Sequence, residues 1–187
     1  MTVAALYIDP RGPSPTLLGP ELCWDEQRDA RTYAGPWPVV AHPPCGPWGS
    51  LKHLYQGSEH DCAPLAVEQV RRWGGVLEQP RGSKLWEHCG LPVPPMRARD
   101  GIELRYADEF GGYALEVDQC AWGHVARKRP WLYFFGVVFA DAVSGLRFGG
   151  TPTHGTSGGR TKSSRKGCPV PPGIKVCSAQ QRRRTPP

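Results

Sequence analysis

The sequence predicts an α/β domain built on a largely parallel sheet, followed by a basic tail. Three observations carry that prediction. Two short apolar runs, Val39-Val40-Ala41 and Val76-Leu77, each break into a polar, proline-bearing loop. Between them, residues 61–73 repeat Ala66, Val70 and Trp73 at helical spacing, with Val67 widening the stripe, and stop at Gly74-Gly75. The third observation is a change of composition. All 17 acidic residues lie at or before Asp141, together with 14 of the 23 Lys and Arg, and the other 9 basic residues follow with no acid among them. The expected organisation is a domain over residues 1–145 and a mobile Gly-, Ser- and Pro-rich tail over 146–187.

Residues 4–8 read as a first strand that ends at Asp9-Pro10. Residues 11–15 form a turn-rich loop, and 21–24 a second strand. Asp25 is expected to cap a helix over 26–33, which Gly35-Pro36 would end. The strand at Val39 must stop at Pro43-Pro44, because proline has no N–H to give a ladder. Gly46-Pro47 then tightens the loop that carries Cys45. Residues 51–57 read as a loop or short helix. Asp61 is the expected cap of the helix to Trp73, with Pro64 in its first turn. Residues 91–96 make a proline-rich connector. Residues 103–107 and 114–120 read as strands around a Gly111-Gly112 turn, and 131–138 is the strongest buried strand. A β-α-β crossover brings both strand ends to one edge of a parallel sheet. Cys45 and Glu78 are therefore expected to be neighbours despite their separation in the chain.

The chain of 187 residues is long enough for one domain with a real core. Its mean hydropathy is −0.45, and no apolar run approaches the roughly 20 residues that span a bilayer. The first residues lack the basic-then-apolar pattern of a signal peptide. Seven cysteines, with no CxxC pair, argue for reduced thiols and a cytoplasmic setting. The net charge of +6 resides in the tail. Such a tail points to a polyanion, most often nucleic acid, or else to a solvated end that binds nothing specific.

A thiol at one strand end, a carboxylate at the next and the basic triplet Arg127-Lys128-Arg129 before a third strand form a coherent set. Attack of a thiolate at C6 of a pyrimidine makes C5 nucleophilic. Glu78 could hydrogen-bond N3 and the exocyclic amine, while Arg127 and Arg129 could hold phosphate or the base O2. A base in a duplex must first be flipped out. The bland reading of Cys45 is a buried cysteine beside a structural turn. His42 reads as a base or as a satisfied core histidine, and Trp48 as a stacking platform or a packed side chain. His53, His60, Cys62, His88 and Cys89 match no standard zinc spacing, so no metal site is expected.

These residues resemble the DNA (cytosine-5) methyltransferases. Pro43-Pro44-Cys45 is similar to that family's nucleophile motif, and Glu78-Gln79-Pro80 to its Glu-Asn-Val motif. Gln119-Cys120-Ala121-Trp122-Gly123, followed by Arg127-Lys128-Arg129, looks like its arginine-bearing motif. The motifs stand in the family's order, and the similarity runs from about residue 22 to 138. The resemblance implies a trimmed, Rossmann-like methyltransferase fold and a shortened, phage-type member of the family. It also implies S-adenosylmethionine as cofactor and DNA, single-stranded or with a flipped base, as partner. Cys45, Glu78, Arg127 and Arg129 are then the catalytic residues. Pro43, Pro44, Trp48, Ser50, Gln79, Pro80 and Lys128 contact substrate, and Asp9, Trp24 and Asp25 contact cofactor. The family's glycine-rich cofactor loop has no counterpart in residues 9–15, where Pro10, Pro13 and Pro15 remove the donors it would use. Three alternatives stay open: a non-catalytic nucleic-acid-binding module, a base-modifying enzyme without that cofactor, and a metal-stabilised interaction protein.

Overall fold

The computed structural model describes residues 2–94, 107–125, 128–144, 146, 154–155 and 175–176. The chain divides into two units, one formed by residues 1–116 with 130–146 and the other by 117–129 with 147–187. The first unit is mixed α/β. Its strands are β1 (Ala4–Leu6), β2 (Cys23–Trp24), β3 (Val39–Ala41), β4 (Gly75–Pro80), β5 (Tyr113–Glu116) and β6 (Pro130–Phe135). They form one sheet in the order β2-β1-β3-β4-β6-β5, with β1 to β4 mutually parallel and β6 antiparallel to both of its neighbours. Its helices are α1 (Ser14–Leu18), α2 (Cys62–Trp73), α3 (Leu85–His88) and α4 (Phe139–Ser144). In the second unit, Gln119–Trp122 forms a 3-10 turn, and His154–Gly155 (β7) pairs parallel with Lys175–Val176 (β8). The expected strand at 103–107 lies largely outside the described residues, as does most of the tail. Among the described residues no helix is long and apolar enough to cross a membrane.

The β3-α2-β4 unit forms as its periodicity requires. Ala63, Ala66, Val67 and Val70 of α2 are buried against Val39, Ala41 and Leu77, and Tyr133 of β6 completes that layer. On the other face Tyr113, Leu115 and Phe134 pack with Phe139 and Ala142 of α4. Gly75 lets β4 start beside β3: its φ is +122°, and a Cβ there would run into the backbone of Val39.

Several elements depart from local expectation. The helix over 26–33 does not form. The Asp25 carboxylate takes the amides of Gln27 and Arg28, and Asp29 then leaves helical geometry to accept the Arg31 amide, leaving a 3-10 turn at Ala30–Thr32. The loop read over 11–15 gives way at Ser14 to the short helix α1, with proline tolerated in its first turn. Asp61 makes no side-chain cap on α2; its carboxylate faces Arg31 at 3.7 Å. β4 does not break at Glu78 but continues to Pro80, because β6 pairs with it along its whole length, Glu78 opposite Leu132 and Pro80 opposite Pro130.

A buried polar cluster ties the 108–112 turn to α2 and β6. Asp108 Oδ2 accepts from Tyr133 at 2.7 Å and from Arg71 at 2.9 Å, and its other oxygen takes the Gly112 amide. Burial alone would raise the Asp108 carboxyl, but these donors outweigh it and hold the group below the usual carboxylate range. Burial also pushes the Tyr133 phenol up to about 12, so it remains a donor. The lowered carboxyl contributes stability above the unfolded value of about 3.9, which is lost as pH falls through the folded value. Asp108→Ala should cost about 3 kcal/mol in urea unfolding at neutral pH, and the variant should lack that acid-dependent part of the stability curve.

Candidate functional site

The two loops that matter leave the same sheet edge. β3 and β4 run parallel in register, Ala41 opposite Leu77, so the residues after Ala41 emerge beside Glu78 and Gln79. Side chains alternate along both strands. Leu77 and Gln79 point to the α2 face and are fully buried, whereas Glu78 points to the opposite face and is partly open.

Gln79 fastens the two loops together. Its Nε2 donates to the Pro43 carbonyl at 2.7 Å, and its Oε1 accepts from the Ser83 hydroxyl at 3.3 Å. The Lys84 amide adds a bond to the Trp48 carbonyl at 2.8 Å. Within the loop, the Cys45 carbonyl accepts from the amides of Trp48 and Gly49, at 3.1 and 2.8 Å. Gly46 admits the Tyr55 ring, which a Cβ would strike. Cys45 is consequently presented outward on a turn fixed at both ends, and it is exposed. The bland expectation of a buried cysteine is excluded.

The other predicted residues divide by environment. Pro43 is buried, Ser50 is exposed on the continuing loop, and Pro80 ends β4 opposite Pro130. Trp48 is half-buried, packs against the core and lies 4.8 Å from the His88 ring, the packed alternative. His42, three residues before the thiol, is no core histidine: its side chain is 39% exposed and its Nδ1 lies 3.7 Å from Glu78 Oε2. Arg81, just past β4, pairs with Glu116 at 3.4 Å, and Glu116 also takes the Trp131 indole N–H. Arg127 lies outside the described residues. Lys128 and Arg129 belong to the second unit, where the Lys128 carbonyl accepts from the Gln119 amide.

Next to this rim is a crevice of about 330 Å³. The chain passes from β1 outward to β2 and then returns to β3 on the other side of β1, so the strand order reverses between β1 and β3. Open α/β sheets bind ligands outside the carboxyl ends of strands at such a reversal. The crevice sits there, lined by Tyr7 and Ile8 after β1, Asp25 after β2 and Pro44 after β3. Asp29, Arg31, Glu59 and Cys62 close it. Tyr7 holds a left-handed backbone (φ +59°), uncommon for a bulky residue. Its hydroxyl donates to Gln69, which is buried and anchors to the Ala30 carbonyl. Burial pushes the Tyr7 phenol far up, so it stays protonated. Of the residues predicted to meet a cofactor, Asp25 lines the crevice. Asp9 is bound to Arg11 by an exposed ion pair, and Trp24 is covered by the Arg28 guanidinium.

Among the described residues no three His, Cys, Asp or Glu side chains converge to hold a metal ion. No family model, curated protein or solved structure matches the chain.

Sequence reasoning missed the roles of Gln79 as a fastener and Tyr7 as a crevice wall. A polar residue at the period-2 position of Leu77 was the available signal for Gln79, since the alternation that buries Leu77 also buries residue 79.

Two outcomes are expected. Gln79→Ala should destabilise the protein by about 1–3 kcal/mol, measured by urea unfolding, because it strands the Pro43 carbonyl and the Ser83 hydroxyl. Brief iodoacetamide treatment should label Cys45 before Cys23 and Cys62, read by peptide mass spectrometry, because burial pushes those two thiols up.

Proposed function

We propose that the rim between the Cys45 loop and Glu78 takes a pyrimidine base of DNA, and that Cys45 adds covalently to its C6. One observation carries this reading: an exposed thiol on a rigid turn, fastened through Gln79 to the strand that carries Glu78. A nucleophile held at one strand end, with a partly buried carboxylate on the neighbouring strand, can split one difficult substitution into an addition and an elimination. Glu78 faces the ring edge and pairs with N3 and the exocyclic amine. A role for Arg127 and Arg129 in holding the base or its phosphate rests on the resemblance of that stretch to the arginine-bearing motif.

The fold reading is a trimmed, Rossmann-like methyltransferase fold, and the activity a DNA cytosine-5 methyltransferase-like one. The crevice suits S-adenosylmethionine better than a phosphate-bearing nucleotide. Asp25, Glu26, Asp29 and Glu59 outnumber Arg31 along its walls, and the chain after β1 enters α1 through Pro13 and Pro15 without a cradle of amides. A negative crevice favours a sulfonium and an ammonium over phosphate. When bound, S-adenosylmethionine supplies an electrophilic methyl group. Tyr7, Asp25 and Pro44 shape the end of the crevice that meets the Cys45 loop.

The missing glycine cradle favours a second reading, in which the same thiol modifies a base without that cofactor. Isothermal titration separates the two. In the first reading S-adenosylmethionine binds wild type, and Glu59→Lys weakens it about five-fold, the effect of roughly 1 kcal/mol of charge reversal near water. In the second no heat of binding is seen.

The covalent step is tested with an oligodeoxynucleotide containing 5-fluorocytosine, incubated with S-adenosylmethionine and analysed by mass spectrometry. Wild type should yield an adduct on Cys45 and Cys45→Ser none. If wild type forms no adduct, and also releases no tritium from 5-tritiated cytosine in single-stranded DNA, covalent addition is wrong and a non-catalytic binding module remains.

A further inference from the structure

The Glu78 carboxylate has a neighbour that sits far from it in the chain. In the parallel ladder of β3 and β4, Val39 lies opposite Gly75, Val40 opposite Val76 and Ala41 opposite Leu77, which brings His42 beside Glu78. Ala41 and Leu77 are buried on the α2 side, so alternation turns both His42 and Glu78 to the other face. There His42 Nδ1 stands 3.7 Å from Glu78 Oε2, the side chains 39% and 20% exposed. That distance is within ion-pairing range and slightly long for a hydrogen bond, so a small side-chain rotation closes it. The imidazole is open enough to exchange protons with water, and the carboxylate is covered enough for the interaction to be stronger than on an open surface.

Resting on the base-addition reading above, we propose that His42 is a positioning residue for Glu78: as imidazolium it orients the carboxylate and replenishes the proton that Glu78 gives to the base. As the Cys45 thiolate bonds to C6, the C5=C6 electron pair becomes the C4=C5 bond and the C4=N3 pair moves onto N3. Starting from the imidazolium–carboxylate pair, His42 passes its Nδ1 proton to Glu78 and Glu78 delivers a proton to N3, so that His42 is left neutral and Glu78 ends as the carboxylate it began as. The net transfer is one proton from His42 Nδ1 to N3, with no oxidant or reductant. C5 of the resulting adduct is nucleophilic and picks up a proton from water. The hydroxide left by that water takes the hydrogen originally on C5, and expulsion of the Cys45 thiolate from C6, with the N3 proton returning through Glu78 to His42, restores cytosine.

The elements flanking His42 carry few other titratable groups. β1 leads into Tyr7, whose hydroxyl is held by Gln69, and into Asp9, held by Arg11. β2 leads into Asp25, which binds its own turn amides. β4 carries Glu78 and leads into Arg81, held by Glu116, and the loop of His42 itself carries Cys45. Of these carboxylates only Glu78 lies within ion-pair distance of the imidazole among the described residues.

The experiment follows tritium release from 5-tritiated cytosine in single-stranded DNA against pH, with no methyl donor, for wild type, His42→Asn and Glu78→Gln. Wild type should give a bell-shaped profile: the thiolate fraction rises with pH and the imidazolium fraction falls. His42→Asn should lose about 100-fold at the optimum and lose the alkaline limb, so that its rate only rises with pH. Glu78→Gln should lose at least as much. A His42→Asn profile of unchanged shape, whatever its height, overturns the proposal, because a loss of packing alone would not remove a titration. Failure of wild type to release tritium overturns the base-addition reading and this proposal with it, a result distinct from a His42-specific failure. Thermal melting checks that the variant is folded, and His42→Gln serves as the second variant if His42→Asn is not.

Discussion

One buried side chain holds the candidate site together. Gln79 has no solvent exposure, and both ends of its amide are used, the nitrogen on the Pro43 carbonyl and the oxygen on the Ser83 hydroxyl. A buried amide of this kind is worth little as a net contribution to stability but costs a great deal to leave unsatisfied. The loop is therefore fixed relative to β4 more by the penalty of breaking the arrangement than by the strength of its bonds. The proline pair contributes from the other side: Pro43 and Pro44 cannot enter the ladder, and the Pro43 carbonyl is left available to the Gln79 amide.

The same short loop borders two spaces. Pro44 forms part of the crevice wall at the reversal of strand order, and the next residue, Cys45, is turned outward on the rim. In the proposed chemistry this is the arrangement a two-substrate reaction needs, because a donor in the crevice and a base on the rim would meet across a few backbone atoms. Rigidity has a structural source here. The Arg71–Asp108–Tyr133 cluster and the α2 layer hold β4 and β6 firmly beneath the loops, while segments such as Lys52–Leu54 beyond the thiol are largely exposed.

Charge is sorted by region. The α/β unit carries nearly all the acid, and its crevice wall is acidic, whereas the 9 basic residues after residue 141 have no acid among them. An acidic body does not attract a phosphate backbone by itself. In the proposed reading the sheet edge handles the base, and the phosphate backbone calls for basic residues such as those in the tail sequence.

By itself the sequence determined the strand–helix–strand core, the end of β3 and the tight loop that carries Cys45, because each is governed by local chemistry: apolar spacing at 3.6 or 2.0 residues, and proline's missing N–H; that the thiol faces outward was decided by the tertiary structure. Tertiary structure alone decided the rest. Residues 26–33 have helical composition, yet Asp25 and Asp29 find nearer backbone partners and the helix is lost. Glu78 was read as a loop residue and proved to lie in a strand, because β6, more than fifty residues later, pairs alongside it. The Gln79 fastener and the His42–Glu78 pair are likewise products of register between segments distant in the chain. No window of sequence contains both partners of such contacts, and the desolvation that gives them their energy exists only once the sheet has assembled.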